Sequence, residues 1–181
     1  MTPGLWRDAH VRPGGAGLLL IFLLLAIPVL AEVEPTPLID FRIKDQFGKL
    51  HTSGSYRNSV AIVVSGDRKG NEYTKEWSPV LADSLAAEVR RFRVRFISHA
   101  HLKGAPFFMK GTIKGKLSNA PDDWVLMDWS GEFNQAYEFK EDHCNIVVFD
   151  QDGLRRIQVA VQQFDQKIFT RLLTGIRRLD R

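Results

Sequence analysis

The residues best suited to ligate a soft metal or carry a redox step are scarce in this chain: one cysteine, Cys144, and five histidines. His99 and His101 lie two apart in the stretch SHAH. In a strand, residues i and i+2 face the same side, so both imidazoles could approach one ion. His143 directly precedes Cys144 in DHC. Thiolate and imidazole together suit copper or zinc, so His99, His101, His143 and Cys144 form a candidate metal set if the fold brings the two segments together. Their spacing matches no established metal signature. The preferred reading is therefore surface histidines beside a half-buried cysteine that packs as a small hydrophobe, with no cofactor expected. A single thiol also cannot form an internal disulfide or resolve a mixed disulfide, which argues against dithiol–disulfide exchange.

A second place to look for chemistry is SGDRKGNEYTKEW, Ser65 to Trp77. It joins a continuous β-branched run to an amphipathic pattern. Two glycines and a helix start could cradle an anion with backbone N–H groups, helped by Arg68 and Lys69. The simpler reading, and the preferred one, is a turn in which Asp67 or Asn71 caps the helix. A loop with two glycines is a weak signal.

These segments need a scaffold. Arg7 and Arg12 precede the apolar run Ala16 to Ala31, which contains Pro28 and ends in small residues. That order predicts a secretory signal over residues 1–31, cleaved after Ala31; an uncleaved anchor is the alternative. The expected compartment is periplasmic or extracellular, or membrane-anchored if the segment stays. A lead-in at residues 32–37 then precedes one domain over residues 38–181, enough chain for one core. Removing Arg7, Asp8 and Arg12 lowers the net charge from +4 to +3, too mild to argue for nucleic acid. Expected partners are a periplasmic protein or small ligand, with no stable membrane association after cleavage. Lys103, Lys110, Lys114 and Lys116 cluster without an acid. They read as a solvated loop or, more sharply, as a patch for anionic ligands or lipid headgroups. Phe107, Phe108, Trp124 and Trp129 around this insertion are expected to form its core, with a shallow peptide or lipid groove as the alternative.

The patterns predict a hairpin turning at Asp45–Gly48, a fully buried strand at SVAIVVS, and a helix over Glu72 to Phe92 from apolar steps of three and four. Pro79 must either start that helix, with Ser78 as cap, or kink it. A strand at Phe92–Ser98 follows, then the irregular insertion. After it come a short strand at Trp124–Trp129, a brief helix in GEFNQAYEF, the hairpin NIVVFDQDGLRRIQVAV and a terminal amphipathic helix. The order hairpin, β, α, β, insertion, β, α, β, β, α predicts an α/β mixed sheet flanked by helices, with an N-terminal β-hairpin extension.

That order, with DFRIKDQFGKL, VAIVVSG opening into a helix and NIVVFDQDG before a terminal helix, resembles the thioredoxin fold in its peroxiredoxin-like variant. GDRKGNEYTKEWSPVLADSL, APFFMKGTIKGKL and VLMDWSGEFNQAYEF are similar in order and spacing to the periplasmic, cysteine-poor YtfJ-like family. The resemblance implies a degenerate redox loop at Asp67, Arg68, Lys69, Glu72 and Tyr73. Redox-active relatives carry a cysteine at this helix start, where the dipole lowers its pKa. Aligning YTKE with the end of the peroxidatic pattern puts Tyr73 in the thiol's place. A phenol titrating near 10 is no neutral-pH substitute. The resemblance also puts Cys144 close to the position that faces the redox loop. The function expected is a non-catalytic binding or accessory module. The alternative is a redox or soft-metal handling protein built on Cys144 and the histidines.

Overall fold

The computed structural model describes residues 35–180. The expected signal segment at 1–31 lies outside the described residues. A small hairpin, β1 (Arg42–Lys44) and β2 (Leu50–Thr52), turns through Gly48 at a φ of 89°. There Asp45 accepts the backbone N–H groups of Phe47 and Lys49 on one carboxylate oxygen. The main sheet has the order β5–β4–β3–β6–β7. Its strands are β3 (Val60–Gly66), β4 (Val94–His101), β5 (Leu126–Asp128), β6 (Cys144–Phe149) and β7 (Arg155–Val161). β3, β4 and β5 run parallel, while β6 is antiparallel to both β3 and β7.

All seven residues of β3 and all six of β6 are buried, because apolar layers cover both faces. On one face Val64, Cys144, Ile146 and Val148 meet α1 (Gly70–Ser84) through Trp77 and Leu81, and α5 (Gln166–Leu179) through Leu172 and Ile176. On the other, Val63, Ile97 and Val147 meet Phe133 and Tyr137 of α4 (Glu132–Tyr137), together with Phe41 and Ile43 of the hairpin. Two faces, each closed by helices, make the predicted mixed α/β sheet with its hairpin extension.

The details depart from expectation in three places. Of the two alternatives for Pro79, starting the helix is overturned: it lies inside α1, which continues past it, and the carbonyl of exposed Lys75 one turn back lacks the N–H it would otherwise accept. It breaks at Leu85 and resumes as α2 (Ala86–Arg90). Phe92 neither ends a buried helical face nor starts a strand. It takes a φ of 58° in the turn and is 71 % exposed, so β4 begins at Val94. The insertion's aromatics are not its core: Phe107 and Phe108 are each 82 % exposed on a single 3-10 turn before α3 (Lys110–Lys114). Trp124 instead stacks on His51 of the hairpin, ring centres 4.2 Å apart. Gln46 tethers the insertion by donating to the Asp123 carbonyl at 2.9 Å and accepting the Val125 N–H at 2.8 Å.

Candidate functional site

Where β3 and β4 end and β6 begins, the sheet's register fixes which side chains can meet. Ser65 pairs with His99 on one side and with Asn145 on the other. Paired residues share a face and successive residues alternate. His99 and Asn145 therefore lie on the α4 face, and Cys144, one residue earlier, lies on the α1 face. The two segments do converge at one sheet edge, but the sheet itself separates Cys144 from His99. The candidate metal set is not assembled. Among the described residues no group of three or more His, Cys, Asp or Glu is placed to hold a metal ion.

Each member has another occupation. Cys144 is fully buried between β3 and β7 in the α1 layer, where burial pushes its thiol up to about 12. His143 is half-buried, with Nδ1 2.6 Å from the Glu141 carbonyl oxygen. His101 does share the face of His99 and approaches the Asn134 side-chain amide at 3.5 Å. His99 belongs to a buried polar chain that the sequence reading missed. Its Nδ1 lies 2.7 Å from the Ser65 hydroxyl and its Nε2 3.1 Å from a carboxylate oxygen of Asp128.

Serine, histidine and carboxylate in a row is the connectivity of a nucleophilic relay, yet Ser65, His99 and Asp128 are 1 %, 3 % and 1 % exposed. No substrate carbonyl can approach within bonding distance of the Ser65 oxygen in this packing, which a nucleophile requires. Burial lowers the affinity of His99 for a second proton, against the opposing pull of Asp128. Burial alone would raise the Asp128 carboxyl. The hydrogen bond from His99, with donors from Ser130 and Gly131, outweighs it and holds the group well below the usual carboxylate range. The pair is neutral imidazole beside carboxylate: Nε2–H donates to Asp128 and Nδ1 accepts from Ser65. Its work is structural. Asp128 also accepts the N–H groups of Gly131 and Phe133, so one side chain ties β4 to the start of α4.

The degenerate redox loop is itself closed. One carboxylate oxygen of Asp67 accepts the N–H groups of Gly70, at 2.7 Å, and Lys69, at 3.1 Å; the other accepts the N–H of Asp142 at 2.8 Å. Asp67 thus caps α1 and staples it to the loop before β6. Lys69 pairs with the Asp142 side chain at 2.8 Å. Gly70 sits so close that an added Cβ would overlap the carbonyl oxygen of His143. That segment does face the loop as expected, but with backbone rather than with the Cys144 thiol. Asn145 holds it from beneath, accepting the Lys140 N–H at 2.8 Å and donating to the Lys140 and His143 carbonyls. Tyr73 leans on the α1-side core, Arg68 is exposed, and Glu72 pairs with Lys75 at 3.0 Å.

No family model and no curated protein matches this sequence. Solved structures do. A thiol:disulfide interchange protein of the thioredoxin family from Chlorobium tepidum TLS aligns at a TM-score of 0.56 and 17 % identity, over 83 % of this chain and 100 % of that one. The exposed lipoprotein thioredoxin Etrx1 from Streptococcus pneumoniae strain TIGR4 aligns at 0.54 and 13 % identity, over 75 % and 98 %. A SCO1/SenC family lipoprotein from Bacillus anthracis str. Ames aligns at 0.55 and 12 % identity, over 83 % and 100 %. Sheet order, flanking helices and N-terminal hairpin agree with these similarities: the chain has a thioredoxin-like fold, with no cysteine at the junction between β3 and α1.

Proposed function

We propose that this chain is an exported, non-catalytic binding or accessory module of the YtfJ-like kind, using the edge formed by residues 67–73 and 138–143 to hold a periplasmic protein or small ligand. The observation that carries this reading is Asp67. Its carboxylate occupies the helix start and consumes the N–H groups that would otherwise stabilise a thiolate. Cys144 offers no replacement, since a thiol at about 12 is overwhelmingly protonated at neutral pH and lies buried. Export is supported by the leader pattern ahead of the domain. No helix among the described residues is long and apolar enough to cross a membrane.

Two measurements on the same protein test the reading. Insulin reduction by dithiothreitol should proceed at its uncatalysed rate. A photo-crosslinking residue in place of exposed Arg68 should capture a defined partner in cells, while the same residue in place of Thr170, exposed on α5, should not. Acceleration of insulin reduction that disappears in Cys144→Ser would overturn the non-catalytic reading. Equal capture at the two positions would remove the edge as the binding surface.

A further inference from the structure

The insertion between β4 and β5 exposes what a soluble surface normally hides. Phe107 and Phe108 are each 82 % exposed and the adjoining Met109 is 37 % exposed. They sit together on one 3-10 turn that leads into α3. Isolated exposed apolar residues need no explanation, but three in succession at a loop tip form a patch. The sequence around them carries Lys103, Lys110, Lys114 and Lys116, with no Asp or Glu between His101 and Pro121. Lys103, Lys114 and Lys116 are exposed. Lys110 lies over two rings, its ammonium 5.1 Å from the centre of Phe107 and 4.8 Å from that of Trp129.

We propose that this tip is a reversible docking surface for an anionic phospholipid bilayer. The chemistry is complementary at both levels of the interface. Phenylalanine and methionine side chains enter the boundary between headgroups and acyl chains, while lysines keep their ammonium groups at the phosphates. The exposed rings favour a deformable acyl layer over a protein partner, which would need a matching pocket for each ring. Four lysines and one short apolar tip provide a contact that comes and goes.

A local probe in the full chain distinguishes tip insertion from anything the N-terminal apolar run does. In Phe108→Trp the added indole, read as a difference spectrum against the unmodified chain, should shift to the blue and be quenched by brominated acyl chains. The vesicles would contain seven parts phosphatidylcholine to three of phosphatidylglycerol. Each lysine near such a surface is worth about a fivefold gain in partitioning, so neutralising two with Lys110→Gln and Lys114→Gln should weaken binding of the tip roughly 25-fold. Raised salt should weaken it as well. Circular dichroism confirms folding of each variant. An added tryptophan that stays unquenched would overturn the proposal and leave an acidic protein as the patch's partner. Quenching that is equal in pure phosphatidylcholine, or unchanged by the lysine substitutions, would overturn it too, because the charge complementarity would then be irrelevant.

Discussion

Replacing His99 with glutamine tests the buried polar chain through the proton dependence of stability. His99 is 3 % exposed, and burial holds its ring below the ordinary value of 6.5 in spite of Asp128. In the unfolded chain the imidazole titrates near 6.5. Below that pH the unfolded state binds a proton that the folded state refuses, so unfolding is favoured. The stability associated with the neutral ring is fully present above about pH 6.5. It falls by up to about 1.4 kcal/mol per pH unit below that, for as long as the folded ring stays neutral. Asp45, Asp128 and Asp165 have depressed values and act with the same sign, but only below their unfolded value of 3.8. Comparison between pH 7.5 and 5 therefore leaves these three carboxylates nearly unchanged, and subtracting the variant isolates His99. The introduced amide can donate to Asp128 and accept from Ser65 without titrating. It loses the ring contact with Phe133, 4.6 Å between centres, and aligns its hydrogen bonds less well, which should cost about 1–2 kcal/mol at pH 7.5. Urea unfolding of both proteins at the two pH values reads the effect. The wild type should lose up to about 2 kcal/mol more than His99→Gln on acidification to about pH 5, so the gap between them narrows or inverts. Parallel losses in the two proteins would refute a buried neutral His99.

Asp67→Ala should destabilise the protein by about 1–2 kcal/mol in urea unfolding, because it removes the cap on α1 and leaves the Asp142 N–H without its partner. Arg68→Ala, at an exposed neighbour, should stay within about 0.5 kcal/mol of wild type, and equal effects would remove the cap argument. Gly70→Ala should cost about 1–3 kcal/mol although alanine favours helices, since its methyl group would meet the backbone carbonyl of His143 and one loop must move. A stabilised Gly70→Ala protein, measured in the same way, would show that the two loops are not in contact.

Much of the scaffold was legible because its patterns are local. The β-branched run at Val60–Ser65 reads as a strand wherever it is placed, and Trp77, Leu81 and Leu85 mark one helical face. The site was less legible, for a physical reason visible at β6. CNIVVF is buried on both sides, so no polar alternation reports which residue faces which layer. The thiol's face depends on a register offset of one residue, which turns Cys144 toward α1 and puts Asn145 on the α4 face with His99. The Ser65–His99–Asp128 chain needed three strand ends brought together by sheet order, and only SHAH hinted at it. Phe107 and Phe108 misled by type. Hydrophobicity predicts burial only where other elements are available to cover it, and the short insertion supplies none.

The junction between β3 and α1 can serve one of two electrostatic ends. The partial positive charge at a helix start favours any anion there, whether a thiolate that it helps to form or a carboxylate already ionised. A thiolate kept for chemistry must remain open to attack, so its neighbours cannot close over it. Asp67 takes the opposite course. Its two oxygens accept three N–H groups from two separate loops, and Gly70 lets the His143 backbone close down on the same spot. Every donor so engaged stabilises the fold and is withdrawn from catalysis. Placing a cysteine at residue 67 would therefore not by itself restore an acidic, reactive thiol. The His143 backbone would still be packed against Gly70 at the same spot, leaving the thiol closed in rather than open to attack.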